Sequence, residues 1–133
     1  MRDRAGRLYV DSSALVKLVV AEAETPALAA ELGRHGGLIT SALADIEVRR
    51  AAARSGAAGY RTTALLAACE LVDWDASIRA AASELAPPEL GTLDSIHLAT
   101  ALSLGPAVAA FVTYDRALAN AAAAHDLRVL SPA

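Results

Sequence analysis

The sequence predicts an α/β fold in which a central parallel β-sheet is covered by helices on both faces. Short β-prone runs alternate along the chain with longer amphipathic or apolar stretches that are typical of helices, and this alternation indicates a parallel sheet. The 133 residues suit one domain, predicted to span 1–133 and to bury a core. Hydrophobic residues make up 55% of the chain and aromatic residues 4%, so much of the apolar content is alanine, which favours closely packed helices.

The first half of the chain contains two predicted strands and four predicted helices. The strands lie at about 7–11 and 38–40, and the helices at about 12–20, 26–34, 42–54 and 59–68. Ser12 or Ser13 is expected to cap the first helix, and Ser41 the third. Pro26 occupies a first-turn position of the second helix, where its missing N–H is not needed. The glycine pair at 36–37 is a plausible C-cap for that helix.

The second half contains three predicted strands and three predicted helices. The strands lie at about 71–72, 111–113 and 128–130, and the helices at about 75–86, 92–104 and 116–125. Asp75 begins the first of these helices, and the proline pair at 87–88 stops it. Gly105 and Pro106 end the second.

Charge, cysteine content and hydropathy exclude several classes of protein. The formal net charge of −3 argues against bulk electrostatic binding of nucleic acid. The single cysteine, Cys69, allows no internal disulfide and no cysteine-based zinc site, and is expected to fill a core position. No apolar stretch is long enough to cross a membrane, and the first four residues are not followed by the apolar core of a signal peptide. A cytoplasmic protein is therefore expected.

Two acidic residues stand where predicted strands end and helices begin. Asp11 closes the first strand, and Asp115 follows the strand at 111–113. The carboxyl ends of parallel strands form the edge where open α/β sheets bind ligands, so the two acids can meet if their strands are neighbours. Each could instead serve only as a helix N-cap. This alternative is weaker for Asp11, because Ser12 and Ser13 can cap the same helix.

A third candidate, Asp94, lies at the start of the nearly all-apolar helix at 92–104. A buried carboxylate needs a partner, and no lysine or arginine lies within a turn of Asp94. A metal ion would meet that need. The alternative is an acid placed beside the positive end of the helix dipole. His97 shares this helix face and is interpreted as a hydrogen-bonded core histidine.

Glu47 and Asp45 compete as the acid contributed by the helix at 42–54. Asp45 precedes Arg49 by four residues, the ordinary spacing of a surface ion pair. Glu47 could pair with Arg50 or Arg54 on the same helix. The pattern alone favours Glu47 only slightly.

Four segments of the chain resemble, in order, the acidic motifs of PIN-domain ribonucleases of the VapC toxin type. The segments are LYVDSSALVKL, TSALADIEVRRA, LGTLDSIHLATAL and FVTYDRALANAA. Each is weak by itself, but the set is specific and covers essentially the whole chain. The resemblance implies a three-layer αβα PIN-like fold with a central parallel β-sheet. The residues at the family's acidic positions are Asp11, Glu47, Asp94 and Asp115.

The same resemblance implies an activity, a cofactor and partners. The four acids would hold Mg²⁺ or Mn²⁺, with Asp11 and Asp94 as principal ligands, and the enzyme would hydrolyse RNA phosphodiester bonds. The hydroxyls of Ser13 and Thr113 would lie near the metal. The implied partners are an RNA substrate, a VapB-type antitoxin and a second copy of the chain in a homodimer. DNA would be contacted only through the antitoxin.

Carboxylates suit this chemistry because hard divalent cations prefer oxygen ligands, neutralise the phosphate and lower the pKa of bound water. Clustered carboxylates also repel one another, which raises their pKa values until a cation arrives. Arg49, Arg50 and Arg54 lie in a stretch without acidic residues between 47 and 70. They are candidates for contacts with the RNA backbone, and a solvated helix face is the equal alternative.

Two other functions compete with this prediction: a PIN-like module that only binds a partner, and another phosphate-handling α/β protein. The presence of all four acids counts against the first. A haloacid-dehalogenase-like phosphatase needs an acid where Ser13 stands, and no glycine-rich phosphate loop is present. Apolar side chains on the helices at 14–20 and 26–33 are expected to form the surface that binds the antitoxin.

Overall fold

The computed structural model describes residues 6–133 of the chain. Its strands are β1 (Arg7–Val10), β2 (Leu38–Ser41), β3 (Cys69–Val72), β4 (Val108–Val112) and β5 (Val129–Leu130). Its helices are α1 (Ser12–Val19), α2 (Thr25–Leu32), α3 (Leu43–Arg54), α4 (Gly59–Ala67), α5 (Ala76–Ser83), α6 (Thr92–Ser103) and α7 (Arg116–Ala124), with a 3₁₀ turn at Gly105–Ala107. The absence of a signal peptide is predicted from residues 1–4, and these lie outside the described residues.

The five strands are parallel and follow the order β3-β2-β1-β4-β5. β1 is therefore central and pairs with β2 on one side and β4 on the other; Tyr9 stands opposite Ile39 and Phe111. This order brings the β1–α1, β2–α3 and β4–α7 connections to one edge of the sheet. The predicted parallel sheet is confirmed.

Alternating side chains of β1 divide the core into two layers, because successive residues of a strand point to opposite faces. Leu8 and Val10 are fully buried on the face that α1 to α4 cover, together with Leu15 of α1. Tyr9 is fully buried on the opposite face, where it packs in a cluster with Leu98 of α6. The α5 helix packs beside α6. The three-layer αβα arrangement is therefore confirmed.

Two strands begin earlier than the sequence predicts. β4 starts at Val108 and includes two alanines, which are weak strand formers. Pairing with β1 and the burial of Ala110 stabilise the extended conformation there. β3 starts at Cys69, which pairs with Leu38. Cys69 is half-buried at the margin of the core, and burial raises the pKa of its thiol to about 11.

Two helices end earlier than predicted. α5 ends at Ser83, before the proline pair, because the following connection places Leu85 and Leu90 against the core on the α6 side. α2 ends at Leu32 with Gly33 as its C-cap. None of the helices in residues 6–133 combines the length and the apolarity that a membrane span requires.

The carboxyl-terminal residues lie against the segment that follows β4. The Thr113 N–H donates to the Leu130 carbonyl at 3.2 Å, and the Ser131 hydroxyl donates to the Thr113 carbonyl at 2.5 Å. The Tyr114 hydroxyl donates to the Pro132 carbonyl at 2.7 Å. These hydrogen bonds hold residues 113 and 114 against the carboxyl-terminal segment.

Candidate active site

The two acids at strand ends lie on neighbouring strands. Asp11 directly follows β1, and Asp115 lies three residues beyond the end of β4. The Asp11 N–H donates to the Val112 carbonyl at 3.1 Å, and Val10 stands opposite Val112 in the parallel register. The condition under which the two acids can meet, that their strands are neighbours, is therefore fulfilled.

Asp11 is 3% exposed and is itself the N-cap of α1. Its Oδ1 accepts hydrogen bonds from the Ala14 N–H at 3.0 Å and the Ser13 hydroxyl at 2.7 Å. Its Oδ2 accepts one from the Thr113 hydroxyl at 2.6 Å. Burial raises the pKa of Asp11, and these donors oppose the rise. The expected cap by Ser12 or Ser13 is wrong, because α1 already begins at Ser12 and the extended residue before it is Asp11.

Ser13 and Thr113 link the two strand-end segments. The Ser13 oxygen accepts a hydrogen bond from the Tyr114 N–H at 3.0 Å, and the Thr113 oxygen accepts one from the Asp115 N–H at 3.0 Å. Each hydroxyl also donates to Asp11, so this carboxylate is held from both sides of the junction between β1 and β4.

Asp115 is the N-cap of α7, as the capping alternative predicted. Its Oδ1 accepts a hydrogen bond from the Leu118 N–H at 2.9 Å. Its Oδ2 makes no hydrogen bond to any residue in the range 6–133. The cap therefore occupies one carboxylate oxygen and leaves the other available at the edge of the sheet.

Asp94 lies half-buried in the first turn of α6 and has neither a hydrogen-bond nor an ion-pair partner in the part of the chain that the structure describes. Burial raises the pKa of Asp94, and three other carboxylates raise it further. In order of effect they belong to Asp115, Asp11 and Glu47, and His97 opposes them. The four predicted acids therefore act on one another electrostatically.

Glu47, and not Asp45, belongs to this group. The Glu47 Oε1 accepts a hydrogen bond from the Ser12 hydroxyl at 2.5 Å and lies 2.9 Å from His97 Nε2. Burial acts to raise the pKa of Glu47, but the hydrogen bonds from His97 and Ser12 outweigh burial, so this pKa is lowered. Asp45 forms the predicted surface ion pair with Arg49 at 2.7 Å.

Three residues for which the sequence predicts no role at the site contact Glu47, directly or through a neighbour. Ser12 is predicted as a helix cap and Tyr9 only as a strand residue. His97 is 2% exposed and hydrogen-bonded, as predicted, but one of its partners is Glu47. The only signal in the sequence is spacing, because His97 follows Asp94 by three residues and shares its helix face.

The donor chemistry of the four carboxylates suits a hard divalent cation, which prefers oxygen ligands. Within residues 6–133, however, no three acidic, histidine or cysteine side chains are grouped so that they could hold an ion together. Mg²⁺ is usually bound by one or two carboxylates, with waters as further ligands. The arrangement therefore fits direct coordination by one or two of these acids, with the others acting through water.

The arginines of α3 differ in their availability. Arg49 is held by Asp45 and also donates to the Thr63 hydroxyl at 3.0 Å. Arg50 and Arg54 are exposed and form no ion pair with another residue of the described range. Of the three arginines that are candidates for contact with the RNA backbone, Arg50 and Arg54 are therefore the two whose guanidinium groups form no ion pair within residues 6–133.

The large apolar side chains that are exposed do not lie on α1 and α2, where the antitoxin surface was predicted. Val16 and Leu18 of α1 are half-buried and pack against the core. Among residues 6–133, the exposed large apolar residues are Ile46, Tyr60, Leu71, Trp74 and Leu93. A groove of about 660 Å³ between α5 and α6 is lined in part by Trp74 and contains none of the four acids.

Comparisons with known proteins identify the family of the chain. The family profile described as PIN domain matches residues 8–124. Ribonuclease VapC35 of Mycobacterium tuberculosis is 41% identical over 130 residues, which cover 94% of this chain and 96% of that protein.

Two solved structures share the fold. The crystal structure of Mycobacterium tuberculosis VapC20, a Sarcin-Ricin loop cleaving toxin, aligns with a TM-score of 0.70 at 15% identity, over 86% of this chain and 94% of that one. A toxin–antitoxin complex from Klebsiella pneumoniae gives a TM-score of 0.65 at 20% identity, over 81% and 86% of the two chains. The chain described here belongs to the PIN-domain family and, within it, to the VapC ribonucleases.

Proposed function

We propose that the chain is a divalent-metal-dependent endoribonuclease that acts as the toxin of a VapBC-type toxin–antitoxin pair. One observation carries the metal dependence. Asp94 is half-buried without a basic partner among residues 6–133, and three other carboxylates raise its pKa. A bound cation relieves that repulsion. Membership of the VapC ribonucleases supports RNA as the substrate.

In this proposal Asp11 and Asp94 bind Mg²⁺ or Mn²⁺ directly, and Glu47 and Asp115 complete the site through water. A bound ion of this kind neutralises phosphate charge and lowers the pKa of a coordinated water. The other requirement is that the surrounding residues keep four mutually repelling carboxylates in place.

Preorganisation of these acids comes from side chains around them. Ser13 and Thr113 donate to the two oxygens of Asp11 and so fix the orientation of its carboxylate. Asp115 keeps its Oδ2 outside the helix cap, where it can accept a hydrogen bond from the attacking water and orient it. Glu47 is held by Ser12.

RNA contact is assigned to Arg50 and Arg54, which are exposed on the same helix as Glu47. Guanidinium groups bind phosphate oxygens and position the backbone without reading bases. Aromatic residues make up only 4% of the chain, so recognition of RNA shape is favoured over base stacking. Substituting both arginines by alanine should weaken RNA binding and reduce its salt dependence, as measured by fluorescence anisotropy.

The proposed partners are a VapB-type antitoxin and a second copy of the chain, in the cytoplasm. The Klebsiella pneumoniae neighbour was solved as a toxin–antitoxin complex, which supports the antitoxin. The homodimer rests on the family resemblance alone. Light scattering of the purified chain, with and without the product of a neighbouring small reading frame, measures both associations. A single mass equal to one chain under all conditions would contradict both.

The decisive experiment is RNA cleavage by the purified chain without antitoxin. We expect cleavage with Mg²⁺ or Mn²⁺, and none with a chelator or in the Asp11→Asn variant. RNA binding without cleavage under every metal condition would favour the competing function, a PIN-like module that only binds a partner.

A further inference from the structure

A chain of hydrogen bonds connects the buried core to the candidate site. The Tyr9 hydroxyl lies 2.7 Å from His97 Nδ1, and His97 Nε2 lies 2.9 Å from Glu47 Oε1. Tyr9 is fully buried and His97 is 2% exposed, whereas the Glu47 side chain is 24% exposed. This series of hydrogen bonds therefore begins at Tyr9 on the central strand β1 and ends at Glu47, which is partly exposed to solvent.

Hydrogen-bond chemistry assigns the donor and the acceptor at the Glu47 end of this series. A carboxylate at Glu47 can only accept, so His97 Nε2 must carry a proton. The Ser12 hydroxyl donates a hydrogen bond to Glu47, and its oxygen lies 3.2 Å from His97 Nε2, so it can accept from the same N–H.

The other ring nitrogen of His97, Nδ1, forms a hydrogen bond with the Tyr9 hydroxyl. This contact fixes the orientation of the imidazole ring, so that the Nε2–H points at Glu47.

Tyr9 has little freedom to move. Its ring stacks on Phe111, with centroids 5.1 Å apart and planes at 5°. It meets the His97 ring edge-on, at 5.9 Å and 78°. Aromatic packing therefore fixes the phenol oxygen, and the phenol oxygen fixes the imidazole.

We propose that Tyr9 and His97 form a positioning unit that holds the Glu47 carboxylate in place and thereby sets the affinity of the site for its divalent cation. This inference rests on the proposed function, because it requires Glu47 to belong to a metal site. Neither residue touches the substrate. Without the Nε2–H, the partly exposed Glu47 carboxylate keeps only the hydrogen bond from Ser12, so the repulsion by the other acids displaces it more easily. Partners of this kind in metal sites typically change metal affinity or activity by about 10–100-fold.

Two substitutions at His97 separate this role from simple core packing. In His97→Gln, the amide nitrogen lies near the position of Nε2 and can still donate to Glu47. In His97→Asn, the amide lies near the position of Nδ1, so it can meet Tyr9 but does not reach Glu47. Both variants bury one neutral amide, so a purely structural role predicts no advantage for the longer side chain.

The first readout is the Kd for Mn²⁺ from calorimetry, with melting of the metal-free proteins as a check on folding. We expect His97→Asn to weaken Mn²⁺ binding by about 10–100-fold, and His97→Gln to retain most of the parent affinity. Tyr9→Phe keeps the stacked ring and removes one hydroxyl, so it should give a smaller loss. Tyr60→Phe, on an exposed ring, is the matched control and should change nothing. Equal Mn²⁺ affinities for the Gln and Asn variants would overturn the proposal.

A double-mutant cycle with Glu47→Gln provides the second readout. If His97 acts through Glu47, adding His97→Asn to Glu47→Gln should cost no further Mn²⁺ affinity and no further cleavage rate. Fully additive losses would refute the positioning role. A parent chain that binds no Mn²⁺ and cleaves no RNA would refute the proposed function as well. A parent that does both, with unchanged His97 variants, would refute only the positioning unit.

Discussion

Asp11→Asn and Asp11→Ala are both expected to abolish RNA cleavage, but the two variants should differ in their free energy of unfolding. Both remove a carboxylate that the proposed function places on the metal. Loss of about 3–5 kcal/mol of transition-state stabilisation corresponds to roughly 10²–10⁴ in rate. The two variants differ in whether the three hydrogen-bond donors around this carboxylate keep an acceptor.

Asp11→Asn keeps most of those interactions. Its carbonyl oxygen can still accept from Ala14 and Ser13, and asparagine is as good an N-cap as aspartate. Its amide can donate to Thr113, whose oxygen already accepts from the Asp115 N–H. The substitution also removes a charge whose burial raises the pKa of Asp11. We therefore expect its free energy of unfolding at neutral pH to lie within about 1 kcal/mol of the parent.

Asp11→Ala leaves the same donors without an acceptor. The lost cap costs about 1 kcal/mol, and a buried unsatisfied donor costs about 1–3 kcal/mol. A total of about 3 kcal/mol corresponds to a fall of about 10 °C in Tm for a domain of this size. Calorimetric melting and a cleavage assay on the same preparations test both parts. An active Asp11→Asn enzyme, or an Asp11→Ala variant that melts with the parent, would refute the reasoning.

Three further predictions concern the other acids and the metal. Asp45→Ala should keep full cleavage and Glu47→Ala should lose it, and the reverse ranking would contradict the assignment of Glu47. Because the folded pKa of Asp94 is raised above its ordinary 3.8, the parent loses stability as pH rises through that folded pKa. Asp94→Asn should therefore unfold at higher denaturant concentration than the parent at pH 7.5, with a gain that shrinks towards pH 3.8. Saturating Mn²⁺, at about 100 times its Kd, should stabilise the parent by about 2.7 kcal/mol, and an unchanged Tm would show that the acids bind no ion.

Much of the fold could be predicted because the local signals agree with the tertiary packing. The run before Asp11 is β-prone and forms the central strand, and Pro26 lies in the first turn of α2 as expected. The errors occur where packing overrides local preference. The alanines of β4 are extended because they pair with β1, and α5 stops before its prolines because Leu85 packs against the core.

The candidate site could be predicted only in part, for a similar reason. Motif order and strand ends point to the four acids, because these features are local in sequence. The partners of the acids are set by contacts between distant segments: Ser12 and Glu47 are 35 residues apart, and Tyr9 and His97 are 88. The N-cap of α1 was misassigned for a more local reason. Three adjacent residues, Asp11 to Ser13, can all cap a helix, and backbone conformation decides among them.

The pairing of β1 with β4 also has a consequence for biosynthesis. The hydrogen bond between Asp11 and Thr113 joins residues 102 positions apart. Elongation at about 5–20 residues per second therefore separates their synthesis by roughly 5–20 s. During that interval the nascent chain already carries Asp11, Glu47 and, later, Asp94, but lacks the strand that closes the edge around them. A nascent chain that ends before β4 therefore holds Asp11 without the Thr113 hydroxyl that orients its carboxylate, and we expect such truncated products to cleave no RNA.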